Sequence, residues 1–353
     1  GLSRPFAAEA ADDGARTVRW SFFDQGVLLD LPGPWIQRRD GTPADTGSWR
    51  TFLRLLRWHR PGRPLDAVVL TLPADQLAGP DAPGKQALLA RAGIVRERLA
   101  EAQRRLGVRF PVHVLVTRCD RVAGFAATCG ALPEAARDEV FGWSSPYPIG
   151  ARFSPAWVEE AYDTVAAGLY ETQVELLTGA APAQADGLFR FPAELRRTLP
   201  SLRGFLDEVF RESVYHESFF FRGIYFTGDP DAPGASAAEL APSPSADPHP
   251  AADPSAAAPL PDPYGDGDAY GTDEPAPVDT IRPAAPVFLR QLFAERVFAE
   301  AGLARPAGNA LLDGGRGTRA AQAAAAAVLL LGIPALLLAG SRLRHEAAGT
   351  LAS

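Results

Sequence analysis

The chain has 353 residues, 46% of them hydrophobic and 22% charged, enough to bury the core of one large or two ordinary domains. Its net charge of -7 is uneven: residues 229–286 hold 11 acids against one Arg, a net of -10, which leaves +3 for the rest. A folded part this close to neutral excludes an electrostatic footprint for nucleic acid. The two cysteines, Cys119 and Cys129, exclude a disulfide framework or cysteine metal site and fit a reducing compartment.

In chain order, residues 17–30 end in the apolar run Val27–Leu29 before Asp30, which predicts a buried strand with a carboxylate at its C-terminal end. Residues 48–60 place Trp49, Phe52, Leu53, Leu56 and Arg60 at helical spacing, with Ser48 as the N-cap. Residues 65–72 read as a second strand and residues 85–106 as an Arg-rich amphipathic helix that stops at Gly107. Residues 111–117 form a third strand. This alternation predicts a parallel sheet covered by helices. From about 133 to 216 the pattern turns helical, with helices over 154–177 and 192–216, and Phe219–Thr227 returns as a strand of the same sheet.

Residues 229–286 contain 14 prolines and little apolar surface, which predicts a disordered, extended acidic linker. Asp266–Gly271 has a faint calcium-loop look, but Tyr270 and Pro277 stand where acidic ligands belong, so no calcium site is expected. Residues 286–302 are amphipathic, with Phe288, Leu289, Leu292, Phe293 and Val297 on one side, and are read as a helix docked back on the domain. Residues 320–341 carry no charge and are bracketed by Arg316, Arg319, Arg342 and Arg344. They are long enough to span a bilayer and are read as a transmembrane helix.

Two strand ends carry candidate chemistry. Asp30-Leu31-Pro32-Gly33 has the form of a carboxylate that holds a magnesium-bound water, with a glycine whose N–H approaches a γ-phosphate. Thr117-Arg118-Cys119-Asp120 resembles the N/T-K-x-D motif in which an Asp reads the guanine edge, with Arg in place of Lys. Both are expected at the C-terminal edge of the sheet, where open α/β folds bind ligands. The nearest approach to a phosphate-binding loop, Gly79–Gln86, has Pro80 and Pro83 where N–H donors belong and Gln86 in place of Ser or Thr, so it is read as a plain loop.

Taken together, several stretches resemble the cytoplasmic N-terminal region of the TssM (IcmF-like) inner-membrane proteins of bacterial type VI secretion. They are Trp20–Gly33, Phe52–Leu72, Leu106–Phe125, Arg222–Gly228 and Phe288–Leu303. The resemblance implies a P-loop-NTPase-like, or GTPase-like, α/β domain over residues 1–150 and a helical extension with return strand over 151–228. The acidic linker (229–286), a juxtamembrane segment (287–319), the membrane helix (320–341) and the start of a periplasmic region (342–353) follow. It places residues 1–319 in the cytoplasm. The absence of Met and the Gly at position 1 suggest that the native start lies upstream, and Gly1–Phe6 resembles the family stretch just after a P-loop. Carried over by residue, Asp30 and Gly33 form the magnesium and γ-phosphate side, and Thr117, Arg118 and Asp120 the base side. GTP or ATP with Mg is the implied cofactor. The implied partners are the TssL (DotU-like) inner-membrane protein, the TssJ-like lipoprotein, baseplate components and further copies of the chain. A structural, docking role is expected, with a nucleotide cycle that gates secretion as the alternative.

Overall fold

The first described stretch folds as a hairpin and not as one buried strand. Strand β1 (Arg19–Phe23) turns at Asp24-Gln25 and pairs antiparallel with β2 (Gly26–Asp30), Arg19 opposite Asp30. Two residues between paired positions suffice for a tight turn, and the reading of 17–30 as a single strand overlooked it. The hairpin forms its own two-stranded sheet, and Trp20, Phe22 and Val27 are about half exposed. It is anchored from one side: Phe23 lies 5.6 Å from Phe298, ring to ring, and a Cβ on Gly26 would meet the Phe298 ring at 2.9 Å. Glycine at 26 permits that approach. The computed structural model describes residues 18–36, 46–80, 82–179, 182–212, 217–232 and 285–307.

The main sheet has four strands in the order β3 (Val68–Pro73), β5 (Pro111–Thr117), β7 (Phe220–Phe226), β6 (Gly142–Ser144). β3, β5 and β7 are parallel, as the strand–helix alternation predicts, and β6 adds an antiparallel edge that the sequence reading missed. Six of the seven β5 residues are buried, which suits an unbroken apolar run covered on both faces. Val112, Val114 and Val116 face one core, while Leu115 belongs to a second cluster on the opposite face, the alternation a pleated strand imposes.

Helices α2 (Thr46–His59), α3 (Lys85–Leu106), α5 (Ala156–Gly179) and α7 (Leu199–Val209) contribute to the first core, with Trp49, Leu53, Leu99, Val158 and Leu206 among its buried members. Helix α3 has the predicted bounds. Helix α2 starts two residues before Ser48, so Ser48 lies in the first turn and is not the cap. The expected helix over 192–216 is two helices, α6 (Pro182–Arg196) and α7. Pro200 explains the break: it lacks an N–H and tolerates only the first turn of a helix. Short helices α1 (Gly33–Ile36) and α4 (Phe125–Ala131) and the two-residue strands β4 (Val108–Arg109) and β8 (Arg305–Pro306), paired with each other, also occur among the described residues.

The amphipathic stretch after residue 285 docks on the domain, as its apolar side predicts, but with π-type geometry over Leu292–Val297 instead of a regular α-helix. Phe288, Leu292 and Val297 are buried, and Leu292 and Val297 close the second cluster together with Leu115 and Tyr225. Among the described residues no helix is long and apolar enough to cross a membrane. The segment 320–341, the calcium-loop look at 266–271 and nearly all of the acidic stretch lie outside the described residues.

Candidate functional site

Because β3, β5 and β7 run parallel, their C-terminal ends share one edge, the edge where open α/β sheets hold ligands. Thr117, Arg118 and Asp120 lie there. Cys119 N–H donates to Thr227 O (3.0 Å) and Thr227 N–H to Val116 O (2.9 Å), which joins the turn after β5 to the end of β7. Arg118 adopts a left-handed backbone (φ 57) and directs its guanidinium to Asp75, 2.9 Å away in the turn after β3. Arg118 is therefore held across the edge by a carboxylate that the sequence reading did not single out.

Asp120 is turned into the protein. The residue is only 6% exposed, and its Oδ1 accepts the Asp229 N–H at 3.2 Å. Gly228 makes this possible: a Cβ there would lie 2.6 Å from Asp120 N and 2.9 Å from its Oδ1. The stitching extends to the far end of the acidic stretch and just past it. Asp229 Oδ2 accepts the Ala285 N–H (3.0 Å), Thr227 Oγ1 donates to Val287 O (2.6 Å), and Val287 N–H donates to Gly228 O (3.0 Å). Asp120 thus sits at the root of a clamp that holds the two sides of the 233–284 excursion together. Gly228-Asp229, directly after an apolar strand, was the available signal for this clamp.

Asp30 and Gly33 lie elsewhere. Asp30 ends β2 on the separate hairpin, and Gly33 opens α1; both are exposed and line a cavity of 2710 Å³. No atom lies within 4 Å of a Cβ built on Gly33, so nothing in the fold itself demands glycine there. Among the described residues no hydrogen bond or ion pair joins Asp30 to the Arg118–Asp120 turn, and no trio of His, Cys, Asp or Glu is arranged as a metal cage. The Gly79–Gln86 loop closes on itself, Ala82 N–H donating to Gly79 O at 3.3 Å.

These positions test the fit of a magnesium nucleotide. The Asp30 side is open. The base side is partly engaged: Asp120 is buried and its Oδ1 accepts a backbone N–H, while its Oδ2 lies 3.8 Å from Arg121 Nε. The described residues alone do not assemble a magnesium-nucleotide site.

Two further groups of buried chemistry-bearing residues are structural. Arg222 on β7 forms a two-point ion pair with Glu300 (Nε–Oε2 2.8 Å, Nη2–Oε1 2.6 Å), which fastens the 285–307 segment to the sheet. His113 lies beside it, Nε2 3.6 Å from Glu300 Oε2; burial, outweighing the nearby Glu300 charge, lowers its pKa from 6.5 to about 4 and keeps it neutral. Burial also raises the Cys119 thiol far above the usual range and the Cys129 thiol to about 12, so neither is a nucleophile at neutral pH.

Comparison with known proteins bears out the family resemblance. No solved structure matches the chain. A curated protein described as "Type VI secretion system component TssM1", from Pseudomonas aeruginosa, is 32% identical over 237 residues, which cover 64% of this chain and 21% of that protein. The chain therefore spans about a fifth of the length of the curated relative it matches. The model of the IcmF-related N-terminal domain matches residues 42–325, a stretch that includes α2, the whole four-stranded sheet and the segment docked after residue 285. The chain belongs to the IcmF-related N-terminal domain family.

Proposed function

We propose that this chain is the cytoplasmic docking part of an inner-membrane component of a type VI secretion envelope complex. The observation that carries the docking role is the closed state of Asp120. The motif that would read a nucleotide base holds together the protein's own loop ends, through Asp229, Gly228 and Ala285. Similarity to a secretion component supports the setting. In this reading 320–341 crosses the inner membrane, flanked by Arg316, Arg319, Arg342 and Arg344, and the α/β and helical parts face a TssL (DotU-like) protein and the baseplate. A TssJ-like lipoprotein would be met only beyond the membrane.

A second reading, a nucleotide cycle that gates secretion, draws on one observation: Asp30 is an exposed carboxylate beside open space at Gly33 on the rim of the cavity. Co-purification separates the two. Asp30→Ala in the complete protein is expected to retain the TssL-like partner as wild type does. Loss of the partner on that substitution, restored by no nucleotide, would remove the docking role from the rest of the surface and place it at Asp30.

A further inference from the structure

The edge of the main sheet opposite the Asp120 clamp, where β3 and β5 begin, is basic. Residues 50–66 and 101–109 lead to it and hold eight Arg against the two acids Asp66 and Glu101. Helices α2 and α3 end there together, Arg57 Nη1 donating to Arg105 O at 2.7 Å. Part of this charge has an internal use: Glu101 pairs with Arg50 and Arg105, and Asp66 with Arg60 and Arg63. Arg54 and Arg104 are exposed and, among the described residues, have no carboxylate partner. Trp58 shares a face of α2 with Arg54, four residues on, opposite the buried Trp49 and Leu53. It is 77% exposed, more than any other large apolar side chain among the described residues.

The path of the chain indicates what this face meets. The described residues end beside it: β8 pairs with β4, and Ala307 N–H donates to the carbonyl of Gly107, the residue that caps α3, at 3.0 Å. Residues 308–319 alone separate this point from 320–341, a reach of at most about 40 Å. An exposed indole among arginines is the composition that settles at a bilayer interface, the ring in the headgroup layer and the guanidinium groups on anionic phosphates. A second exposed apolar face, with Tyr170, Val174 and Phe189 on α5 and α6, is bordered by Glu171 and Glu175, which an anionic surface repels.

We propose that the Arg54–Trp58 face of α2, with the last turn of α3, docks on the anionic phospholipid surface of the bilayer that 320–341 crosses; this rests on the reading of 320–341 as a membrane span. Tethering holds the face near that surface, so a weak contact suffices. Each arginine that reaches an anionic surface adds about a fivefold preference for the docked state. Docking turns the strand starts toward the membrane and the Asp120 clamp away from it.

Tryptophan quenching tests this on the whole 353-residue chain, reconstituted in vesicles of phosphatidylcholine alone or mixed with phosphatidylglycerol. Both carry a trace of lipid with a nitroxide headgroup. The difference between wild type and Trp58→Phe isolates Trp58 from the rest of the six tryptophans. Trp58 is expected to be quenched at least about twofold more in the phosphatidylglycerol vesicles, and to lose that excess in about 0.5 M salt or in the Arg54→Glu/Arg104→Glu variant. Flotation in high salt reports insertion of 320–341, and unchanged near-ultraviolet circular dichroism reports that each variant is folded. Inserted chain whose Trp58 is quenched equally in both vesicles, or whose excess quenching survives the double substitution, would overturn the docking surface alone. So would quenching that appears only after the acids of 233–284 are replaced by their amides, which would assign the face to the chain's own acidic stretch. Chain that does not float in high salt would overturn the membrane reading and this inference with it.

Discussion

Strands β2 and β5 are both short apolar runs that lead to an Asp, yet they have opposite fates. β5 is paired on both sides, six of its seven residues are buried, and the Asp120 that follows it is drawn into the protein. Among the described residues β2 is paired on one side, its residues are half-exposed or exposed, and its Asp30 is exposed. The difference teaches that an apolar run fixes where a strand ends but not what its neighbours are. Whether a terminal carboxylate is available for a ligand depends on those neighbours.

The contrast is sharpest in the core. Val114 is 0% exposed and Val27 49%. Val114→Ala should cost about 2.5 kcal/mol through lost burial and a cavity, and Val27→Ala less than about 0.5 kcal/mol. Urea denaturation of both variants measures it; equal costs would mean that β2 is as deeply buried in solution as β5.

Strand β5 should also confer a pH dependence through His113. His113 protonates near 6.5 when unfolded but near 4 when folded, so the unfolded state binds the extra proton between those values. Stability is then full above about pH 6.5 and falls as pH drops toward 4, by about 2 kcal/mol between pH 7.5 and pH 5. His113→Phe should flatten that part of the profile, and an unchanged slope would show that the histidine is solvated.

The two carboxylates give the smallest effects. Asp120→Ala leaves the Asp229 N–H without its buried acceptor and should cost about 1.5 kcal/mol. It should also loosen the clamp, seen as faster exchange at Asp229 and Val287. Asp30→Ala, with no side-chain hydrogen bond or ion pair to lose among the described residues, should stay within about 0.5 kcal/mol of wild type. A reversed ranking would mean that the clamp is not formed in solution.

Much of the main sheet was legible because its signals are local. β5 has its predicted bounds, α3 ends where Gly107 interrupts it, and β7 returns as expected from a run of aromatic and β-branched residues. What was not legible depends on pairing or on single residues. The Asp24-Gln25 turn converts one predicted strand to a hairpin, Pro200 divides a predicted helix, and β6 is only three residues long. The site was legible as motifs and not as geometry. Thr117, Arg118 and Asp120 stand at the predicted edge, but their partners Asp75 and Asp229 come from distant turns. No spacing rule along the chain connects them, and Asp30 falls on a separate hairpin with Gly33 opening α1 just beyond it.

We propose that Asp120 serves the clamp and not a nucleotide. Titration of the complete protein with labelled GTP and ATP in the presence of Mg tests it most directly. The account predicts no saturable binding at micromolar concentrations, with or without Asp120→Ala. Saturable micromolar binding that Asp120→Ala abolishes, while β5 exchange shows the variant still folded, would contradict it.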